Sequence, residues 1–248
     1  METISSGSQP RDRAGISSAT TSAVRLRLLG GFEVLDHAEV IDLPTDAQRL
    51  VAFLALQHRR LPRAYVAGQL WLEANTDRAF GNLRSALWRL RGTTGDLVLV
   101  DQQSVSISPE VEIDTETGKA AAHDLRQRSG GCSTMELDLD LFTDELLPGW
   151  YDDWTIVERE LIRQRSLHAL ELIATQLAEG GRHMEAIEAA LAAIRLEPLR
   201  ESAHRCLIRI HLGEGNHSEA RRHYDSYAQL LGQELGLVPS AQIKALAP

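Results

Sequence analysis

The chain has 248 residues, 43% of them hydrophobic, and a formal net charge of −9. This length allows one large domain or two of ordinary size, and the charge argues against a nonspecific coat for nucleic acid. The charge is unevenly spread, because residues 24–108 carry ten basic and nine acidic residues, whereas residues 109–248 carry fourteen and twenty-four. Such asymmetry is typical of a DNA-binding part joined to an acidic partner-binding part, although an ordinary acidic protein with segregated charges is the alternative.

The sequence contains neither a targeting signal nor a cysteine framework. Residues 1–22 are rich in Ser, Thr, Gly and Arg and poor in apolar residues, so we expect a disordered tail there. No apolar run is as long as a membrane span, and the tail lacks the apolar core of a signal peptide. Cys132 and Cys206 are isolated, which favours a reducing compartment. We therefore expect a cytoplasmic, nucleoid-associated protein without a membrane partner.

Short strands are predicted at the start of the ordered chain. Residues 24–28 alternate with the period of two that is typical of a half-buried strand, and Gly30 and Gly31 then provide a turn into residues 32–34. Residues 40–43 form another short apolar run before a proline. The pattern predicts a small sheet ahead of the first helix.

Two helices are predicted next. Thr45 or Asp46 can cap the first of them, whose apolar positions recur at helical spacing up to about His58. The second helix opens at residues 61–63. Its inner face is expected to carry Val66, Leu70 and Trp71.

Residues 77–91 form the most informative segment of the chain. Its larger apolar residues follow a spacing that makes one narrow stripe on a helix: Phe80, Leu83, Leu87 and Leu90. The opposite face and one flank are polar, with four Arg and no acidic residue after Asp77. A solvated helix mixes its charge signs, whereas a helix that lies against phosphates does not. The pattern predicts a DNA-recognition helix.

A hairpin follows the basic helix. Residues 97–100 and 104–107 are strand-like runs joined by the turn 101–103. A helix linked through residues 73–76 to a second, basic helix, with a hairpin after it, has the parts of a winged helix-turn-helix domain. We therefore assign residues 24–108 to such a domain, in which small β-sheets accompany the helices.

The chain beyond Pro109 is predicted to be almost wholly helical. Five segments have apolar residues at intervals of three and four: 113–128, 155–180, 183–196, 200–213 and 217–232. Residues 181–186 match residues 215–220 at a shift of 34, with Gly, His, Glu and Ala identical. This is the period of tetratricopeptide repeats, although chance similarity between Ala-rich helices is the alternative. Residues 109–248 are expected to form an all-α, tetratricopeptide-like domain, so that the chain is mainly α.

Five blocks of the sequence resemble one known family. They agree with it in order and spacing, and together they cover nearly the whole chain from residue 24 onward. The blocks are 28–34, 82–91, 154–159, 197–204 and 233–239. Through them the chain resembles the SARP-type bacterial transcriptional activators, the regulators of antibiotic gene clusters.

The resemblance implies an OmpR-type winged helix followed by a bacterial transcriptional activation domain of tetratricopeptide-like helices. It implies activation of transcription, through direct repeats in promoter DNA, a homodimer on that DNA, and contact with RNA polymerase and its sigma factor. In this family the region that corresponds to residues 72–77 lies near the polymerase. The similarity is to the small members, which carry no receiver, nucleotide-binding or sensor domain.

Candidate DNA contacts lie on the basic helix and on the wing, which is the hairpin of residues 97–107. Arg89 and Ser85 resemble the base-contacting positions of OmpR-type helices, and Arg can hold a guanine with two parallel hydrogen bonds. Asn82 can pair with adenine in the same way, and the alternative for Arg89 is a surface ion pair. Trp88 either contacts the wing or the sugar-phosphate backbone, or forms an edge of the core. The remaining candidates are phosphate contacts on the helix and residues of the wing turn: Arg78, Arg84, Arg91, Gln102, Gln103 and Ser104.

The sequence has no pattern of a catalytic or metal site, and we expect no enzyme activity and no cofactor. His183 and His217 are equivalent in the repeat, but neither they nor His204 have Cys or carboxylate partners at a ligand spacing. Such histidines are expected on helix surfaces. Residues 136–140 lack the Gly and the final Glu of a calcium loop. Phosphate loops, nucleophile elbows and zinc-protease motifs do not occur.

Three functions compete at this point. The first is a sequence-specific activator, whose helical part provides dimer contacts or packs on the winged helix. The second is an interaction adaptor, which binds a peptide on its helical array and has no need for an acid-free helix. The third is a ligand-gated repressor with a small-molecule pocket among the C-terminal helices. The acid-free face of residues 77–91 favours the first.

Overall fold

The computed structural model describes residues 24–37, 39–91, 97–127 and 138–247. The tail expected at 1–22 and Cys132 lie outside the described residues. The strands are β1 (Val24–Arg27), β2 (Glu33–Asp36), β3 (Glu39–Ile41), β4 (Leu61–Pro62), β5 (Val98–Val100), β6 (Ser104–Ile107) and β7 (Glu112–Ile113). The helices are α1 (Thr45–Gln57), α2 (Arg63–Leu70), α3 (Thr76–Arg91), α4 (Asp114–Gln127), α5 (Asp140–Thr143), α6 (Asp153–Glu179), α7 (His183–Leu196), α8 (Glu201–Gly213), α9 (His217–Leu235) and α10 (Ala241–Lys244).

Two small sheets accompany the first three helices. In the first sheet, β1 pairs antiparallel with β2, which pairs antiparallel with β3. The second sheet is antiparallel and has the order β4-β6-β5. Leu26 lies opposite Val34 and both are buried, as expected where alternate side chains of a strand face the core. The predicted order of short strands, three helices and a hairpin is confirmed.

The start of α1 differs from the prediction. Pro44 is the N-cap residue, in extended conformation, and no side chain accepts a capping hydrogen bond there. The predicted capping by Thr45 or Asp46 is therefore wrong, because both residues are already inside the helix and the carbonyl of Pro44 accepts the first amides. The end agrees with the prediction, since His58 is the C-cap in a left-handed conformation, with φ of 44°.

The second helix begins at Arg63. Leu61 and Pro62, expected to open it, instead form the edge strand β4, in which Leu61 lies opposite Val105 of β6. Proline has no N–H to donate to a ladder and is tolerated at the edge of a sheet. The strand joins the start of α2 to the wing.

The helices of the second half pack pairwise along the chain. α6 contacts α7, α7 contacts α8, and α8 contacts α9. Gly181 and Gly215 precede α7 and α9 with φ of 77° and 78°, a conformation that favours glycine. Ala186 and Ala220, which follow at the same interval, are fully buried. The repeat found in the sequence is therefore confirmed in the backbone, and tetratricopeptide-like helices follow the winged helix as expected.

β7 departs from the expectation that the chain beyond Pro109 is all-helical. Its two residues pair in parallel with β1, and an isolated bridge joins Leu29 to Leu146. A strand this short depends on its pairing with a distant partner, which local periodicity does not contain. Most of this part is nevertheless helical, and the fold class is mainly α as predicted.

We call residues 24–108 the head and the described residues from 109 onward the body. The buried core of the head also includes Leu146 and Leu147 of the body. Trp154 meets the ring of Phe53 edge-on, with centroids 5.4 Å apart. The two parts are thus packed together, while the predicted boundary after residue 108 stays a prediction.

Candidate nucleic-acid interface

The side chain of Asn75 caps the N-terminus of α3. Its Oδ1 accepts a hydrogen bond from the backbone N–H of Arg78 at 3.0 Å, which is the geometry of an N-cap. Asp77 follows in the first turn, where the helix dipole stabilises a negative charge. The one acidic residue of α3 therefore has a role at the helix start, and the rest of the helix remains acid-free.

The inner face of α3 packs on α1 and α2. It is wider than the predicted stripe, because two alanines are buried together with the leucines. Phe80, expected in that stripe, is only half-buried. The buried residues are Ala79, Leu83, Ala86, Leu87 and Leu90.

The open face of α3 is centred near Trp88. This side chain is 75% exposed, which excludes its interpretation as an edge of the core. Asn82 is half-buried and lies nearer to the packed side than the prediction assumed. The other candidates on α3 are exposed: Arg78, Arg84, Ser85, Arg89 and Arg91.

Two of the proposed base contacts have partners within the protein. Arg89 Nη1 lies 3.9 Å from Asp46 Oδ2 of α1, and both side chains are about half exposed. An exposed pair of this length contributes about 0–1 kcal/mol, so DNA can compete for Arg89 at little cost. Ser85 Oγ donates to the carbonyl of Gly81 at 3.0 Å, so its lone pairs remain available as acceptors.

The carboxylate of Asp101 stabilises the turn of the wing by hydrogen bonds. Asp101 Oδ1 accepts from the amides of Gln103 and Ser104 at 2.8 and 2.6 Å, and Oδ2 accepts from Ser104 Oγ at 2.6 Å. The Ser104 hydroxyl, then the two amides, and Arg60 lower the pKa of Asp101 to about 2. Gln102 and Gln103 are exposed at the tip, whereas the hydroxyl of Ser104 is engaged in the turn.

Three arginines, Arg59, Arg60 and Arg63, were not predicted as contacts, and two of them, Arg60 and Arg63, lie beside the wing. Arg60 Nη1 is 3.5 Å from Asp101 Oδ2, and the amide of Arg63 donates to the carbonyl of Gln103 at 2.9 Å. Arg59 and Arg60 are exposed. Three Arg within five residues, next to a predicted helix start, was the signal that could have identified them.

Arg78 and Asn82 face a different environment from the rest of α3. They line a cleft of about 560 Å³ between the α2–α3 loop and the start of α6, together with Asp152 and Trp154. At its edge, Arg49 Nε donates to Asp152 Oδ1 at 3.1 Å, and Arg49 Nη2 donates to the carbonyl of Leu70 at 3.0 Å. The structure thus groups most of the α3 candidates on one surface and places these two at its border with the body.

The histidines do not form a metal centre in the part of the chain that the structure describes. His204 is buried at 3% exposure, so the expectation that it lies on a helix surface is wrong. Its ring nitrogens contact His223 of α9 and the carbonyl of Pro198. Both partners lie outside α8, so the spacing of residues within that helix could not reveal them. Within the same described ranges, no helix is long and apolar enough to cross a membrane.

Comparisons with known proteins agree with this architecture. No curated protein sequence matches the chain. Among solved structures, the chain is similar to Mycobacterium tuberculosis EmbR in complex with a low-affinity phosphopeptide, with a TM-score of 0.67 and 19% identity. The match covers 91% of this chain and 64% of EmbR, and at this identity it shows a shared fold. The profile of the bacterial transcriptional activator domain matches residues 112–248, more than half of the chain. The chain therefore belongs to this family, that of the SARP-type bacterial transcriptional activators.

Proposed function

We propose that the protein is a sequence-specific DNA-binding activator in which α3 enters the major groove and the wing lies on the adjacent backbone. The observation that carries the proposal is the exposed, acid-free surface of α3 around Trp88, in a chain with a net charge of −9. Acidic side chains on that surface would repel phosphate, whereas the arginines of α3 attract it. The body belongs to a family of transcriptional activators, which supports the same function.

Separate groups of residues supply specificity and position. Arg89 contacts a guanine edge, Ser85 accepts a hydrogen bond from a base, and Asn82 reaches an adenine from the border of the surface. Trp88 packs against the sugar-phosphate backbone. The phosphate contacts are on the helix, on the wing and beside the wing: Arg78, Arg84, Arg91, Gln102, Gln103 and Arg60. Ser104 instead holds the wing turn in place, because its hydroxyl and its amide both donate to Asp101.

The proposed targets are supported by the family resemblance and by the charge of residues 109–248. We propose that the DNA contains direct repeats in promoters of a secondary-metabolite cluster and that two copies of the chain bind it. Residues 109–248 carry ten more acidic than basic residues, so the body turns away from phosphates towards its neighbour and RNA polymerase with its sigma factor.

Binding of the full chain to DNA tests this assignment. A site is first selected from random duplexes, and fluorescence anisotropy then measures its affinity against a scrambled duplex over a range of salt concentrations. Arg89→Ala should cost about 1–3 kcal/mol on the selected site and relax preference at one base pair. Arg84→Ala should weaken both duplexes alike and reduce the salt slope by about one.

Arg195→Ala provides the matched control, because Arg195 is exposed on α7, far along the chain from the head. It should leave both affinities and the salt slope unchanged. If Arg89→Ala binds the selected and the scrambled duplex as the wild type does, α3 is not the base-contacting element.

A further inference from the structure

A cavity of the described residues lies where the body meets the head. It has a volume of about 650 Å³ and is formed by α4, α5 and α6, with Leu29 of the head at one end. Clefts of about 300–1,000 Å³ are the usual size of small-molecule sites. None of the candidate DNA contacts lines this cavity.

Small residues on α4 leave the space open. Gly118 faces α5, where a Cβ built on it would lie 3.5 Å from the carbonyl oxygen of Leu141, an ordinary van der Waals distance. Ala122 follows one turn later on the same face and also lines the cavity. The opposite walls are apolar, with Phe142 from α5 and Ile162 and Leu172 from α6. The cavity can therefore hold an apolar chain or ring.

One polar group at the head end of α4 has no partner among the described residues. Thr115, at the start of α4, is 5% exposed, and its buried Oγ1 forms no hydrogen bond with any described residue. Buried hydroxyls are almost always hydrogen-bonded, so Thr115 is an exception at this end of α4. The preceding residue, Asp114, accepts hydrogen bonds from the amides of Leu28 and Leu29 at 2.8 Å each, which fixes this end of α4 to the head.

The charge around the cavity differs from that of the rest of the body. Three basic residues line it, Lys119, Arg126 and Arg165, against the two acids Glu116 and Asp124. Lys119 is paired with Glu116, whereas Arg126 and Arg165 form no ion pair among the described residues. Because residues 109–248 carry twenty-four acidic and fourteen basic residues, this local excess of positive charge contrasts with the charge of the segment as a whole. One net charge beside apolar walls suits a monoanion better than a polyphosphate.

We propose that this cavity is a binding site for a small amphipathic carboxylate. The apolar portion lies between α4 and α6, and the carboxylate is held by Arg165 and Arg126 at the rim. Because Asp114 anchors α4 to Leu28 and Leu29 of the head, the occupant lies against the junction of head and body. The proposal goes beyond DNA binding and does not depend on it.

Isothermal titration of the full chain with sodium decanoate tests the site, with decan-1-ol and sodium acetate as comparison ligands. Decanoate should bind with one-to-one stoichiometry. Decan-1-ol, which keeps the chain and lacks the charge, should bind about tenfold more weakly, and acetate should not bind. Arg165→Gln should weaken decanoate about tenfold and leave decan-1-ol unchanged, whereas Ala122→Trp should fill the cavity and abolish both.

The matched control is Arg195→Gln, which removes an exposed Arg of the body outside the cavity and should bind decanoate as the wild type does. Absence of saturable decanoate binding to the wild type overturns the proposal. It is also overturned if decanoate binds Arg165→Gln as tightly as the wild type, an outcome that does not depend on whether Ala122→Trp folds.

Discussion

At the scale of single residues, the pair His204 and His223 connects stability to pH. His204 Nε2 donates to the carbonyl of Pro198 at 2.8 Å, so its Nδ1 accepts from His223 Nε2 at 2.9 Å. Burial lowers the pKa of both rings, and His204 and His211 help to lower that of His223 to about 4. Tyr227 stacks on His204 with ring centroids 4.1 Å apart, which completes the enclosure. The pair is therefore neutral at pH 7.

We expect the free energy of unfolding to fall as the pH is lowered from 7 towards 4. The unfolded chain protonates these rings near their usual pKa of 6.5, whereas folded His223 stays neutral down to about pH 4. Between these values the unfolded state binds more protons, so acid favours it. His223→Gln keeps an N–H that can donate to His204 and does not titrate, so urea unfolding at pH 7, 6 and 5 should show a flatter dependence.

His217→Gln is the control for this measurement, because His217 is exposed at the start of α9. Its stability should change with pH as that of the wild type does. A pH dependence of His223→Gln as steep as that of the wild type would show that other groups carry the effect.

Side-chain exposure on α3 shows which positions a helical wheel can predict and which it cannot. The spacing in residues 77–91 correctly placed Leu83, Leu87 and Leu90 inside and the arginines outside. It could not place Trp88 or Asn82, because their exposure depends on where α1 and the body lie around the helix. The wheel gives the angle between residues, whereas the direction of the neighbouring elements comes from tertiary packing.

At the scale of elements, the 34-residue repeat makes a prediction about packing. Ala186 and Ala220 occupy equivalent positions on α7 and α9, and both are fully buried. Ala186→Leu and Ala220→Leu should each lower the free energy of unfolding by about 1–3 kcal/mol, because extra methylenes overpack a close helix contact. Urea denaturation followed by circular dichroism measures the loss.

The control for the repeat is Ala120→Leu on the exposed side of α4, which should stay within about 0.5 kcal/mol of the wild type. Wild-type stability of both buried variants would contradict the assignment of these alanines to close contacts.

The sequence could predict the long helices because their periodicity is local. It missed β7, α5 and α10, which have two to four residues each and are too short to show a period.

At the scale of the whole molecule, Arg49 and Asp152 join the head to the body. Their side chains are only 25% and 21% exposed, and Arg49 also donates to the carbonyl of Leu70. A double-mutant cycle with Arg49→Ala and Asp152→Ala should give a coupling energy of about 1–3 kcal/mol in urea unfolding, because each truncation leaves the other charge poorly solvated. This contact was not predictable from the sequence, in which the two residues are far apart.

The same cycle on Arg221 and Asp225 is the control, since this pair within α9 is more than half exposed on both sides. Its coupling should stay below about 0.5 kcal/mol. Equal coupling in the two cycles would mean that the pair between head and body does not contribute more than an exposed ion pair.

The packing of the head on the body restricts how two copies of the chain can bind neighbouring sites on DNA. If two copies bind direct repeats head to tail on one face, the half-site centres must lie about one helical turn apart, near 10–10.5 bp. Each body is fixed to its head through Trp154 and the Arg49–Asp152 pair, so it cannot swing far to reach a misplaced neighbour. Inserting about 5 bp between the repeats rotates one site to the opposite face and should abolish joint binding in a mobility-shift assay, whereas a full turn should harm it less. Undiminished transcription from the half-turn promoter would instead indicate an activator that works as a monomer, or a repressor.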